Sequence, residues 1–200
     1  VSLELKRPVI IGIGGLSSNV GKTTLMCELL NAFPGWEAIK TTRGHYRSCG
    51  KDSEACCVSH LLSDDPVLRS GRQETFAAGK DTGRYWDAGA SNVHWVIATD
   101  TQVEKGIKLA LERVKSEGVF VEGNSFSEYV PTNYFLMVRR PDLDAVKKSA
   151  RRALEKTSAI YVSSLLPDVP AIITEAVKDL PVFTPSDLPI LIERLRKAAE

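Results

Sequence analysis

The chain has 200 residues, of which 26 are Lys or Arg and 25 Asp or Glu, for a formal charge of +1. Near-neutrality excludes a general nucleic-acid binder, whose affinity rests on many phosphate contacts, so any anion binding is expected to be local. No apolar stretch approaches the roughly 20 residues needed to span a bilayer, and the N-terminal residues lack a signal-peptide layout, so no membrane partner and a cytoplasmic location are expected. The four cysteines are too few and too unevenly placed for a disulfide framework.

In chain order, VIIGIGG (Val9–Gly15) is a run of apolar, partly β-branched residues followed by LSSNVGKTT and an apolar-periodic segment. That order is the strand–loop–helix of a phosphate cradle, although a glycine-rich turn before a helix would look similar. The spacing is one residue longer than usual. The familiar pattern places a glycine five positions before Gly21; here Leu16 holds that place and Gly15 lies one step further out. In such a cradle Gly15, Ser18, Asn19, Val20 and Gly21 bring the backbone close to phosphates. Lys22 would reach the β- and γ-phosphates, the Thr23 hydroxyl would bind Mg²⁺, and Thr24 would lie by the α-phosphate.

WEAIKTTR (Trp36–Arg43) reads as a second strand. A polar stretch from Gly44 to Lys80 is too long for an ordinary connection, so it is functional, partly helical or mobile. Within it, SDDPVLRSGRQETFAAGK supports a short helix at most, starting at Asp64-Asp65-Pro66. A helix ending at Gly89 and a strand from Val93 to Thr99 come next. They are followed by an amphipathic helix on which Val103, Ile107, Leu111 and Val114 recur a turn apart. GVFVEGN and YFLMVRRP are apolar runs of strand length. A helix around Leu143 to Lys156, a strand AIYVSS, a helix near Asp168, a short PVF and a Ser186-capped helix complete the chain.

Strands alternating with helices predict an α/β fold with a mostly parallel sheet flanked by helices. Neither a repeat nor a linker divides the chain, so residues 1–200 read as one domain carrying an inserted Cys/His-containing loop at about 44–80. Ligands of such sheets sit outside the carboxyl ends of the strands. Residues just after the apolar runs are therefore the candidates: the cradle, Lys40 to Gly44, Thr99-Asp100, Glu122 to Asn124, Arg139 to Asp142, and Ser163-Ser164. A magnesium ion needs an acidic second anchor at a neighbouring strand end. Glu122 is the best placed and Asp100 is its rival.

His45, Cys49, Cys56, Cys57 and His60 fall within sixteen residues. Soft thiolates with imidazole suit zinc, copper(I) or an iron–sulfur cluster, though no Cys-x-x-Cys pair is present and adjacent Cys56-Cys57 is awkward for one tetrahedral ion; the alternative is a loop with unrelated cysteines. For base recognition the chain offers Asp142, which either accepts from a guanine or caps the next helix. The residues alone do not choose between GTP and ATP.

The long loop with its Val-Gly-Lys-Thr ending resembles those of dethiobiotin synthetase and its relatives, in the deviant wing of the P-loop nucleoside triphosphate hydrolases. Two further segments narrow the resemblance. Gly79, Lys80, Asp81, Thr82, Arg84, Ala88, Gly89 and Ala90, then Val121, Glu122 and Gly123, follow the same order as in the molybdopterin-guanine dinucleotide biosynthesis protein B family. Lys40 matches a lysine of that family. The likeness covers about the first 140 residues. It implies a P-loop fold, GTP as ligand, a slow GTPase in molybdenum-cofactor assembly, a homodimer, and a cofactor-assembly or nucleotidyltransferase partner. Under it Lys80, Asp81 and Arg84 would lie at the γ-phosphate edge beside Lys22 and Glu122; read from the residues alone, Asp81 or Thr82 caps a helix. The chain departs from the family in keeping only His45 of a histidine-rich segment, in a longer 49–78 insertion, and in FSEYVPTN after VEGNS. A dethiobiotin synthetase-like ligase or kinase acting on a small carboxylate, with Lys40 as a contact, is the second reading. A nucleotide-switched metal-binding adaptor is the third.

Overall fold

The computed structural model describes residues 7–44, 58–142, 146–164 and 179–200. Cys49, Cys56 and Cys57, with His45, and the helix expected near Asp168 lie outside the described residues. Among those described, no helix is long and apolar enough to cross a membrane.

Among the described residues eight strands form one sheet: β1 (Val9–Gly15), β2 (Glu37–Arg43), β3 (Val67–Ser70), β4 (Val93–Ala98), β5 (Gly118–Glu122), β6 (Tyr134–Arg139), β7 (Ala159–Val162) and β8 (Val182–Phe183). Their spatial order is β3-β4-β2-β5-β1-β6-β7-β8, parallel throughout except for the antiparallel edge pair β3–β4. Parallel neighbours need crossover connections, and a sheet covered on both faces needs continuous apolar strands. The burial of β5 at every position meets that need.

Alternation along each strand feeds two separate cores. On one face Ala38, Val93 and Phe120 pack against α1 (Lys22–Ala32), α3 (Asp81–Asp87) and α6 (Leu188–Ala198). On the other, Ile39, Val96, Val119 and Val121 pack against α4 (Val103–Glu112) and α5 (Lys148–Leu154). A short helix, α2 (Arg72–Thr75), follows β3.

Three sequence expectations change. Asp64-Asp65-Pro66 precedes β3 and does not start a helix; Val67 and Leu68 pair with Ile97 and Val96 instead. Pro66 packs beside Gly106 of α4. The helix expected around Leu143 to Lys156 is interrupted at Lys147, which is extended, and its described part is Lys148–Leu154; residues 143–145 lie outside the described residues. The C-terminal helix is introduced by Thr184 and not by Ser186: Thr184 and Asp187 form a reciprocal capping box around one 3₁₀ turn.

Candidate active site

Strand β1 lies at the middle of the sheet, between β5 and β6, and its carboxyl end opens into the loop Leu16–Gly21. Asn19 and Gly21 both have left-handed backbones, with φ of 57° and 94°. Curled loops of this kind aim successive N–H groups into a concavity that suits anions. The amides of Gly21, Lys22 and Thr23 have no acceptor among the described residues, and α1 adds its dipole behind them. Ser18 and Asn19 are exposed, Val20 is buried, and Thr24 faces outward.

The extra residue of the loop has a structural role. The Leu16 side chain is buried in the α4–α5 core. Its N–H donates to the Val138 carbonyl at 3.0 Å, and its carbonyl accepts from Lys147 N–H at 2.8 Å. One added residue thus ties the cradle to β6 and to the start of α5. Asn124 fixes the other end, accepting from Gly15 N–H at 2.8 Å and donating to Gly15 O at 2.9 Å.

Beneath the loop four elements bring charged side chains together. Lys40 Nζ, from β2, lies 2.6 Å from Asp81 Oδ2 on α3 and 3.3 Å from Glu122 Oε1 on β5. The Thr23 hydroxyl on α1 donates to Glu122 Oε2 at 3.3 Å, and the Tyr85 hydroxyl donates to the same oxygen. Burial pulls the Lys22 ammonium below the ordinary lysine value; Glu122 opposes that shift and Lys40 adds to it. Burial acts the same way on Lys40, but the Glu122 and Asp81 carboxylates outweigh it and hold its ammonium above the ordinary value. For Asp81, burial pushes upward, yet the hydrogen bond and charge of Lys40 hold the carboxyl below its usual range. The Lys22 ammonium makes no hydrogen bond or ion pair among the described residues, which leaves a partly buried cation free to meet an anion.

The position of Glu122 depends on a close backbone contact. Thr41 Oγ1 donates to the Glu122 carbonyl at 2.7 Å. Gly123 follows with φ of 147°, and a Cβ there would lie 1.9 Å from Thr41 Oγ1. Only glycine leaves room for that hydroxyl.

A cleft of about 840 Å³ joins these groups, lined by Gly15, Ser18 to Thr24, Lys40, Asp81, Arg84 and Glu122 among others. Arg84 is exposed, with Nη2 3.4 Å from Thr24 Oγ1. Neither Asp81 nor Thr82 caps α3; Lys80 occupies the cap position, is exposed and does not line the cleft. Asp142 does not line it either; its carboxylate pairs with Arg140 at 2.5 Å, and the cap position of the described α5 is held by Lys147. Arg140 in turn reaches Asn19 O at 3.5 Å. Asp100 pairs with Arg43 at 3.2 Å and does not line the cleft. His60 is exposed, and no group of three His, Cys, Asp or Glu among the described residues is placed to hold a metal ion. Tyr85 was not singled out from sequence, although it lies one helical turn after Asp81 and hence on the same face of α3.

No family model matches the sequence, and no curated protein does. Among solved structures the chain is similar to HypB from Helicobacter pylori, solved in complex with nickel: TM-score 0.56 at 15% identity, covering 97% of this chain and 88% of HypB. It is also similar to LpxK from Aquifex aeolicus in complex with ATP, with TM-score 0.53 at 18% identity, covering 88% of this chain and 53% of LpxK. Both are P-loop NTPases. The fold is the α/β P-loop fold. The chain spans about half the length of LpxK, and its cradle occupies the P-loop position between β1 and α1.

Proposed function

We propose that this chain is a magnesium-dependent nucleotide-binding protein, a GTPase of low intrinsic activity acting in assembly of the guanine-dinucleotide form of a molybdenum cofactor. The observation that supports nucleotide and magnesium binding is the convergence of Thr23, Asp81 and Glu122, from three separate elements, beside an unpaired Lys22 under the loop. Magnesium takes hard oxygen ligands, and a hydroxyl with carboxylates is a donor set that fits it. Thr23 and Glu122 would hold the ion, which when bound neutralises phosphate charge and polarises the terminal phosphoryl group.

The chain's own groups divide the remaining work. Loop amides from Asn19 to Lys22 and the Lys22 ammonium bind phosphate oxygens. Lys40 keeps Asp81 and Glu122 oriented, and Arg84 lies at the outer edge, where a cation stabilises developing charge. Asp81 orients water but is a weak base, because its carboxyl is held below its usual range and proton transfer is most efficient when the base titrates near the working pH. Slow turnover follows unless a partner or a second copy of the chain adds groups. GTP, the molybdenum role and a homodimer rest on the resemblance at Gly79–Ala90 and Val121–Gly123.

Calorimetric titration of anaerobically purified protein with GTP and with ATP, in the presence of Mg²⁺, tests this reading. Micromolar binding of GTP that is lost in Lys22→Ala is expected, with Asp142→Ala weakening the preference for GTP over ATP. Failure of both nucleotides to bind at millimolar concentration overturns the reading; preference for ATP moves it to a ligase or kinase.

A further inference from the structure

Tyr85 is fully buried, and the division of work among the site's groups gives it no part. It belongs to the core that α1 and α3 share with the sheet and does not line the cleft, so it can act on a bound ligand only through a neighbour. A buried phenol hydroxyl needs a hydrogen-bond partner. Here that partner is Glu122 Oε2. A carboxylate only accepts, so the one hydrogen of the phenol lies in this bond.

Helix α3 delivers the hydroxyl from a fixed position. A Cβ on Gly83 would lie 2.1 Å from Ala77 O, so the helix is pressed against the backbone that precedes it. Trp86 Nε1 donates to Thr75 Oγ1 at 2.9 Å and ties α3 to α2. Glu122 is fixed at its backbone end by the Thr41 hydroxyl on its carbonyl. Its carboxylate end receives Lys40 on Oε1, and Thr23 and Tyr85 on Oε2. Lys40 is shared with Asp81, to which it lies closer, at 2.6 Å. Thr23 belongs to the ligand set of the ion itself. Of these three donors, Tyr85 is the one whose bond is neither shared with a second acid nor at the point where the metal binds.

We propose that Tyr85 is the positioning residue of the magnesium site, its hydroxyl holding Glu122 Oε2 beside Thr23 so that hydroxyl and carboxylate are presented together. This rests on the magnesium reading above, and Tyr85 touches neither nucleotide nor ion. Hydrogen bonds to a ligating carboxylate matter because an acid free to turn offers its oxygen to the metal in only some of its orientations; losing such a partner lowers metal affinity about 10–100-fold.

The test uses Mn²⁺, a paramagnetic ion suited by the same oxygen ligands as Mg²⁺. It is titrated into the full chain with a non-hydrolysable GTP or ATP analogue, and free Mn²⁺ is read from its electron paramagnetic resonance signal. Tyr85→Phe keeps the ring and removes the hydroxyl. It should weaken Mn²⁺ binding by about tenfold or more. Affinity for the analogue in EDTA should be unchanged, and any deficit seen at low metal should disappear at saturating Mn²⁺, a displacement along the metal axis that a general loss of structure does not produce. Trp86→Phe is the control on the same helix: it removes the tie to Thr75, and should lower the unfolding temperature without altering Mn²⁺ affinity. Glu122→Gln already lacks the carboxylate, so adding Tyr85→Phe to it should change Mn²⁺ affinity by less than about twofold. Parental Mn²⁺ affinity in Tyr85→Phe, an equal loss in Trp86→Phe, or a full tenfold further loss in the double variant overturns the proposal and leaves the magnesium reading standing. A parent chain that binds nucleotide but no Mn²⁺ sinks the magnesium reading and this proposal together.

Discussion

Lys40 Nζ lies 2.6 Å from Asp81 Oδ2, and the same ammonium reaches Glu122 at 3.3 Å. Two carboxylates that would repel each other under the phosphate loop are thus held by one cation from the neighbouring strand. Removing that cation leaves both acids uncompensated. Breaking a buried pair costs about 3–5 kcal/mol; with the Asp81 side chain 41% exposed, we expect roughly 2–3 kcal/mol for Lys40→Met after discounting for solvent screening.

The signs with pH follow from the shifts. The Asp81 contribution is present above its ordinary value of 3.8 and is lost as pH falls through its lower folded value. That of Lys40 is present below 10.5 and is lost as pH rises through its higher folded value. Urea titrations should therefore show Lys40→Met least stable relative to the parent near neutrality, with the gap closing in acid. Millimolar Mg²⁺ should recover part of the loss in Lys40→Met, where no ammonium competes for the carboxylates. A variant as stable as the parent and indifferent to Mg²⁺ would contradict this account.

Lys22 shows the opposite balance. Burial disfavours its charge and no side chain among the described residues pairs with it, so in the free protein it is a stability cost retained for a ligand. Lys22→Met should raise the stability of nucleotide-free protein by about 1 kcal/mol while removing nucleotide binding. Because the folded value is lowered, the parent becomes more stable as pH rises from that value toward 10.5, and the difference between the two proteins should shrink over this window. Thermal unfolding at pH 7 and pH 10 measures it; a Lys22→Met protein less stable than the parent at both would refute the cost.

The parallel sheet was legible because β1, β5 and β6 are unbroken apolar runs and the helices between them are periodic. The cradle was legible because Gly21-Lys22-Thr23 follows such a run. Strand β3 was not: it has four residues, is half-buried along its length, and follows Asp-Asp-Pro, which also starts helices. Only its long-range pairing with β4 makes it a strand. The Lys40–Asp81–Glu122 grouping joins residues up to 82 positions apart; the strand-end rule singled out Lys40 and Glu122 and the resemblance Asp81, but no local pattern could join the three. Tyr85 was missed for a similar reason, since an aromatic residue inside a helix reads as core until the strand beside it supplies a carboxylate.

At the opposite end of the sheet, Glu37 is buried and fully engaged. Its Oε2 lies 2.7 Å from His94 Nε2, and Oε1 accepts from the Lys115 and Ser116 amides at 2.7 and 2.9 Å. His94 Nδ1 in turn lies 2.8 Å from Ser70 Oγ, so the chain of contacts ties edge strand β3 to β4 and β2. Burial pushes the Glu37 carboxyl upward, but the His94 and amide hydrogen bonds outweigh it and hold it low. Glu37→Gln should cost about 2 kcal/mol near neutral pH. The contribution is present above 4.5 and is lost as pH falls through the lower folded value, so the cost should fade in acid. Denaturant midpoints at pH 7 and pH 3 check this, and an equal cost at both would assign the effect to packing.

Gly123 is where backbone and site are most tightly joined. Adding a methyl group meets Thr41 Oγ1 at 1.9 Å, and the φ of 147° is itself costly for an L side chain. Either Thr41 or the Glu122 backbone must then move, and the hydrogen bond from the Thr41 hydroxyl to Glu122 O is lost. Gly123→Ala should therefore destabilise the protein by about 2–3 kcal/mol and weaken its response to Mg²⁺, because Glu122 no longer faces Thr23. Two causes contribute, and Thr41→Ala separates them. Without the hydroxyl the clash is relieved while the backbone strain remains, so the double variant should be less destabilised than the sum of the singles, with a coupling of about 1 kcal/mol. Strict additivity of the two would mean that strain at Gly123 acts alone and that Thr41 does not set the position of Glu122.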